Sequence, residues 1–275
     1  MKYFDAHTHA NFVAYATDRD EVVRRAVEAG VGMNVVGTQF DTSKAAVDLA
    51  QRYDHVWATI GLHPIHTTSS YHDEQELGAG NKEFTSRGEV FDSAAYGALA
   101  ARGKVIAVGE CGLDYYRVDP TTKDIQQKAF IEQIELANAL GVPLMLHVRP
   151  SQGSQDAYLD ALELVKAHAK GAGDVHFFAG SWETAQKFLD IGFTLSFTGV
   201  VTFTHDYDEV IRNAPLDRLL SETDAPYVTP VPHRGKRNES SYIPLIVERI
   251  AHIRGGDPEV VAARLLENAR RVFRI

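Results

Sequence analysis

Histidines and carboxylates that could share a metal ion recur along the chain. The first pair is His7 and His9, in the segment DAHTH. Side chains two apart on an extended backbone point the same way, so both imidazoles can reach one ion. His63 follows in GLHPIH, Glu110 in VGECGLDYYR, His147 in PLMLHVR, His176 in VHFFAG and Asp224 in SETDAPY. Each feature alone is weak. An HxH pair often arises by chance, a single histidine at a strand end usually packs or hydrogen-bonds, and an acidic residue before a helix usually caps it. Together they make a specific demand, because residues more than 200 positions apart must be carried to one place.

The elements between them can meet that demand. Apolar strand-like runs alternate with amphipathic helical stretches from end to end. Strands are predicted at Lys2–Asp5, Gly32–Gly37, Val56–Leu62, Val105–Gly109, Pro143–Leu146, Val175–Phe178, Phe193–Phe197 and Arg218–Glu222. Helices are predicted at Arg19–Ala29, Ser43–Arg52, Thr122–Leu140, Gln155–Ala169, Trp182–Ile191, Tyr207–Asn213, Tyr242–Arg254 and Pro258–Val272, with Gly30, Gly141 and Gly192 as left-handed caps. This alternation predicts an α/β fold, a (β/α)8 TIM barrel with a parallel eight-stranded sheet, as a single domain over residues 1–275. An open doubly wound sheet is the alternative, but no GxGxxG follows the first strand. In a barrel the C-terminal strand ends share one face. His7, His9, His63, Glu110, His147 and Asp224 then follow strands one, three, four, five and eight, and strand six carries His176. Strands two and seven offer no ligand. His55, His72, His168, His205 and His252 read as solvated or structural. Residues 67–95 form a polar, irregular insertion, long for a βα loop, that is either a lid or a tolerated addition.

Composition narrows the class. A chain of 275 residues with 44% hydrophobic and 24% charged residues is neither disordered, collagen-like nor a coiled coil. No apolar run approaches the roughly 18 residues needed to span a bilayer, so no membrane partner is expected. The opening MKYFDAHTHA puts Asp5, His7 and His9 where a signal peptide needs an apolar stretch, and the single cysteine cannot form an internal disulfide. A cytoplasmic location is the expectation. Lys and Arg total 28 against 37 Asp and Glu, a net charge of −9. That argues against a sequence-reading duplex binder, which carries a basic face. It leaves open an enzyme whose phosphate contacts are made by bound metal ions, part of the negative charge being ligand charge.

DAHTH, GLHP, GECGLDYYR, the LxH of strand five, SFTGVVTF, ETDAPY and RGKRNE resemble the TatD family of metal-dependent hydrolases, among the amidohydrolase-like barrels. The resemblance runs from Lys2 to about Val272. It implies two divalent ions at the barrel mouth. It also implies deoxyribonuclease activity, 3′-exonuclease-like on single-stranded DNA, or related phosphoester hydrolysis. Carried over by residue, it implies His7, His9, Glu110 and Asp224 as ligands of one ion. It implies Glu110, His147 and His176 as ligands of the second, with Glu110 bridging. The chemistry agrees, since a carboxylate has two oxygens. Imidazole with carboxylate suits Zn²⁺, Mn²⁺ or Fe, and Mg²⁺ less well, so identity stays open among these. Two ions about 4 Å apart can acidify a shared water and bind phosphodiester oxygens. Asp224 is then the expected general base, and His63 is assigned to the substrate phosphate or to proton delivery. Relatives that bridge their ions with a carbamylated lysine differ here, because strand four ends in Glu110.

Substrate contacts are expected from His63, Arg117, Arg149 and the basic cluster Arg234, Lys236, Arg237 with Asn238. Asp114 and Tyr115 are expected to shape the mouth. Glu222, two before Asp224, either orients another ligand or is structural. Cys111 is expected to be a packed thiol. The family's GxHPH becomes GLHPIH, displacing His66 by one residue, and its HCFSG becomes His176-Phe177-Phe178-Ala179-Gly180. The expected partner is DNA, bound as substrate by a monomer. The alternative is hydrolysis of an ester or amide, including aminoacyl-tRNA deacylation. A decayed, non-catalytic binder is disfavoured by the full ligand set.

Overall fold

β-Branched and apolar runs form eight strands: β1 (Tyr3–Thr8), β2 (Val31–Val36), β3 (Val56–Ile60), β4 (Val105–Asp114), β5 (Leu144–Arg149), β6 (Gly173–Val175), β7 (Thr194–Phe197) and β8 (Leu219–Ser221). The computed structural model describes residues 1–72, 84–116 and 119–275. The strands lie side by side in chain order, and each neighbouring pair is parallel. The remaining gap, between β8 and β1, is bridged where Thr8 pairs with Ala225. There the His9 N–H donates to Ala225 O at 2.7 Å, and the Asp224 N–H donates to His7 O at 2.9 Å. The sheet therefore closes on itself as a barrel.

Helices α1 (Arg19–Glu28), α2 (Phe40–Ala50), α3 (Ser93–Ala100), α4 (Lys123–Leu140), α5 (Asp156–His168), α6 (Trp182–Asp190) and α7 (Asp208–Asn213) connect successive strands. Two more, α8 (Ile243–Arg254) and α9 (Pro258–Phe273), follow β8. In α9 the buried residues Val261, Ala262, Leu265, Leu266, Ala269 and Phe273 recur at helical spacing, and Asp257 caps it by accepting the Glu259 N–H at 2.8 Å. This face packs on Phe4, Ala6, Met145 and Leu220. Each of the larger side chains among them, fully buried, contributes about 1.5–3 kcal/mol relative to exposure. Gly141 ends α4 in the left-handed conformation, φ 67°, as the sequence predicts. Among the described residues no helix is long and apolar enough to cross a membrane.

Several boundaries differ from expectation. The segment 67–95 contains an antiparallel pair, Ser70–His72 with Phe84–Ser86, and the start of α3. Asp92 caps α3, accepting the N–H groups of Ala94 and Ala95 at 3.0 Å each. Residues 73–83 of that insertion lie outside the described residues. Strand β6 ends at Val175, so His176 sits just beyond it rather than within it. Strand β4 runs to Asp114, five residues past the predicted end.

Candidate metal centre

The local geometry of β1 and β4 explains how their side chains reach the mouth. From Asp5 to Thr8 is three residues, while their β2 partners, Met33 and Val35, are two apart. From Val108 to Cys111 is likewise three residues against two for Leu144 and Leu146 of β5. Each strand thus carries one extra residue, a bulge of the kind that re-aims a side chain. The first bulge holds His7, the second Glu110. Gly112 lets β4 continue past its bulge. Its φ is 136°, and a Cβ there would lie 2.2 Å from His147 O.

Glu110 stands at the centre, 4% exposed. Its Oε1 faces His147 Nδ1 at 2.9 Å, His176 Nε2 at 3.1 Å and His63 Nε2 at 3.3 Å. Its Oε2 faces His7 Nε2 at 3.5 Å and His9 Nε2 at 3.7 Å. Asp224 Oδ1 completes the second group, 3.8 Å from His7 Nε2 and 3.5 Å from His9 Nε2. The two Nε2 atoms of His7 and His9 are 3.2 Å apart. Nitrogen and oxygen ligands about 2.1 Å from a tetrahedral ion lie about 3.4 Å from one another. His7, His9, Glu110 and Asp224 match that spacing and could hold one cation. His147 and His176 converge with the other Glu110 oxygen and could hold a cation there. Two imidazole lone pairs facing each other repel unless a cation or proton lies between them, so the donor chemistry fits a metal.

Outer contacts fix most of the rings. The His9 Nδ1–H donates to Val36 O at 3.0 Å, leaving the Nε2 lone pair free. His147 Nε2 is 3.0 Å from Asp114 Oδ2, and His176 Nδ1 is 3.1 Å from Glu222 Oε1. The rings of His7 and His176 stack, centroids 3.7 Å apart. His63 differs from the others. Its Nδ1 accepts the Ile65 N–H at 3.2 Å, so a neutral ring carries its proton on Nε2, the atom aimed at Glu110. That makes His63 a donor into the pocket, although its donor atom lies within 4.8 Å of those of Glu110 and His147.

The electrostatics follow from this crowding. Burial pushes the Glu110 carboxyl up, but His63, His176 and His7 outweigh it and hold the group well below the usual carboxylate range. Asp224 is also lowered, burial being outweighed by its contact with His9 and the neighbouring imidazoles. Burial lowers His147, yet the carboxylates of Asp114 and Glu110 reverse this and raise it to about 9. His63 is lowered by burial and by His147. Both carboxylates are therefore ionised at neutral pH, and against the lowering push of burial the surrounding carboxylates also raise His176 well above the usual imidazole range and raise His9, so the pocket stabilises positive charge, whether as protons on the rings or as a cation. Burial pushes the Cys111 thiol up, which fits a packed rather than nucleophilic residue.

Several supports carried no signal in the sequence reading. Asp5 accepts the N–H and hydroxyl of Thr223 at 2.8 and 2.6 Å, holding the segment before Asp224 against β1. Gln133 and Gln126, seven apart on α4 and each 1% exposed, bracket the backbones of Leu62 and Asp114 with paired hydrogen bonds. Amides on the apolar face of a helix are the cue that could have revealed them. The Ser196 hydroxyl of β7 is shared between Asp174 Oδ2 at 2.6 Å and Glu222 Oε2 at 2.7 Å, so a strand without a ligand still braces the carboxylate behind His176.

The residues expected to contact substrate divide. Arg149, the last residue of β5, is exposed, its guanidinium 4.1 Å from the centre of the Tyr116 ring. Arg234 stacks 3.9 Å over Phe203. Lys236 is exposed. Arg237 pairs with Asp18 at 2.5 Å and donates to Ala14 O in the loop after β1. Asn238 is fully buried and donates to Thr223 O and Tyr227 O, a structural role. Arg117 lies outside the described residues.

Comparison with known proteins agrees with this architecture. The sequence pattern of the TatD related DNase family matches residues 4–274. The chain is 39% identical, over 99% of both chains, to an uncharacterized metal-dependent hydrolase, YabD, of Bacillus subtilis. It is 35% identical, again over 99% of both chains, to the 3′-5′ ssDNA/RNA exonuclease TatD of Salmonella typhimurium. Among solved structures, the TatD homologue YjjV of Escherichia coli superposes with a TM-score of 0.84 at 26% identity, covering 100% of this chain and 98% of the other. The chain belongs to the TatD-related DNase family of metal-dependent hydrolases.

Proposed function

We propose that this protein is a cytoplasmic nuclease that binds two divalent cations and hydrolyses phosphodiester bonds of single-stranded DNA from the 3′ end. The observation that carries the reading is the division of Glu110: one oxygen faces His147 and His176, the other His7 and His9. A carboxylate placed between two donor sets is suited to bridging two cations. The named exonuclease activity of a relative 35% identical over nearly the whole chain supports the nucleic-acid substrate.

When bound, the cations supply an acidified water and positive charge for the phosphate oxygens. The protein's own residues do the rest. Asp224 accepts the proton of the attacking water, a role supported by its ionised carboxylate at the rim of the His7–His9 set. His63 donates its Nε2–H to a phosphate oxygen or to the departing oxygen, while the Ile65 N–H holds its ring in that tautomer. Glu110 is catalytic through both cations. Arg149 and Arg234, each held over an aromatic ring, offer forked donors to phosphates further along the strand. The buried Cys111 suits a reducing compartment.

The test is metal removal. Exhaustive chelation is expected to abolish nucleotide release from a 3′-labelled single-stranded oligonucleotide, and Mn²⁺ or Zn²⁺ to restore it. Undiminished release by fully stripped protein overturns the reading. Turnover of carboxylic esters without turnover of a phosphodiester dye replaces it with the ester-hydrolase alternative.

A further inference from the structure

The two histidines beside Glu110 Oε1 present different ring nitrogens. His147 turns Nδ1 inward, at 2.9 Å, and His176 turns Nε2 inward, at 3.1 Å. A nitrogen that binds a cation must offer its lone pair, so in the neutral ring the proton sits on the other nitrogen. His147 therefore needs its proton on Nε2 and His176 on Nδ1, which are opposite tautomers. Each of those outer nitrogens meets a buried carboxylate: Asp114 Oδ2 at 3.0 Å from His147 Nε2, and Glu222 Oε1 at 3.1 Å from His176 Nδ1.

Both carboxylates are themselves held. Asp114 accepts the Tyr116 N–H at 2.9 Å on its other oxygen, and its backbone is bracketed by Gln126. Glu222, 0% exposed, accepts the Phe177 N–H at 2.7 Å and lies 2.7 Å from the Ser196 hydroxyl, which it shares with Asp174 at 2.6 Å. The opposite donor set is built differently. The outer nitrogen of His9 meets a neutral backbone carbonyl, Val36 O, and His7 Nδ1 has no hydrogen-bond partner among the described residues.

We propose that Asp114 and Glu222 are positioning residues that create the His147–His176 cation site by fixing the two rings in opposite tautomers, and that the His7–His9 site does not depend on them. The inference rests on the two-cation reading above. An outer carboxylate orients an imidazole ligand and increases its basicity, and loss of such a partner typically lowers metal affinity 10- to 100-fold. Here that loss falls on one cation of the pair. The effect is transmitted through the imidazoles, since neither carboxylate shares a ring nitrogen with the inward-facing donors.

The experiment uses full-length, ¹⁵N-labelled protein and Zn²⁺ alone. Wild type, D114N, E222Q and S196A are equilibrated at graded free Zn²⁺ and assayed by elemental analysis for bound zinc. The histidine ring nitrogens are followed by NMR for tautomer. D114N and E222Q are near-isosteric, and S196A leaves Glu222 in place while removing one of its donors. Wild type is expected to bind two zinc ions. D114N and E222Q are expected to retain one at wild-type affinity and to bind the other about 10- to 100-fold more weakly, with S196A shifted in the same direction by less. In E222Q the His176 ring is expected to lose its pure Nδ1–H signature. Retention of one ion at full affinity also shows that the variant is folded. Two ions bound normally by D114N and E222Q, with unchanged tautomers, overturns this inference alone. Equal weakening of both ions overturns its selectivity. A wild-type chain that binds a single ion overturns the two-cation reading and this inference with it.

Discussion

Replacing Glu110 by Gln tests the central carboxylate most directly. The wild-type group presents Oε1 to three imidazoles at 2.9–3.3 Å and Oε2 to two more at 3.5 and 3.7 Å. A glutamine keeps the shape but replaces one oxygen with an NH2 group, which donates and cannot ligate a cation. Whichever way the amide turns, one donor set loses its oxygen, and both lose a negative charge that was buried among five imidazoles. Breaking a buried charge partnership typically costs about 3–5 kcal/mol. At about 1.4 kcal/mol per tenfold, the affinity lost is between about a hundredfold and a few thousandfold. Calorimetric titration with Mn²⁺ measures the affinity, and nucleotide release from a 3′-labelled oligonucleotide measures the activity. Activity is expected to fall below detection at metal concentrations that saturate the wild type, with a circular dichroism spectrum unchanged. An E110Q protein that binds two ions and keeps activity within a factor of ten refutes the bridging argument.

Further perturbations separate roles that share the pocket. His63→Ala should lower kcat by about a hundredfold, the low end of general acid–base effects, with bound metal unchanged by elemental analysis; parallel loss of metal would make His63 a ligand instead. Gly112→Ala forces a Cβ to within 2.2 Å of His147 O at φ 136°. Strain of about 1–3 kcal/mol, at roughly 2–4 °C per kcal/mol in a chain of this size, predicts a Tm lower by about 2–12 °C in calorimetry; an unchanged Tm counts against the close packing of β4 on β5. Against the upward push of burial, the Ser151 hydroxyl and N–H hold the Asp156 carboxyl down at about 2. Its folded value lies below its unfolded one, so its stabilisation is complete above a pH of about 4 and is lost as the pH falls towards 2. Asp156→Asn should therefore flatten the decline of Tm over that window, and parallel curves for variant and wild type would contradict the assignment.

The chain discloses its architecture more readily than its supports. Alternating apolar runs and capped helices are local patterns, so eight strands and their order are readable from residues such as Val31–Val36 and the glycine after α4. The histidines and acids are visible because they interrupt apolar strand ends. Their arrangement around Glu110 depends on two bulges, and a bulge has no local pattern. GECGLD reads as the end of a strand when its glycines in fact prolong one. Charge is equally ambiguous. Arg237 and Asn238 read with Arg234 and Lys236 as one basic cluster, yet Asp18, 219 positions away, claims the first, and backbone carbonyls claim the second. Asp5, Ser196, Gln126 and Gln133 look like blemishes in apolar segments. Their use appears only when Thr223, Glu222, Asp114 and Leu62 are brought beside them.

The seam at Thr8 and Ala225 ties the assembly of the candidate cation site to the closure of the barrel. His7 and His9 leave the ribosome early, whereas Asp224, anchored to His7 O across that seam, emerges more than 200 residues later. Asp224 joins His7 and His9 only where the last strand meets the first, so the donor set it completes and the closure of the sheet form together.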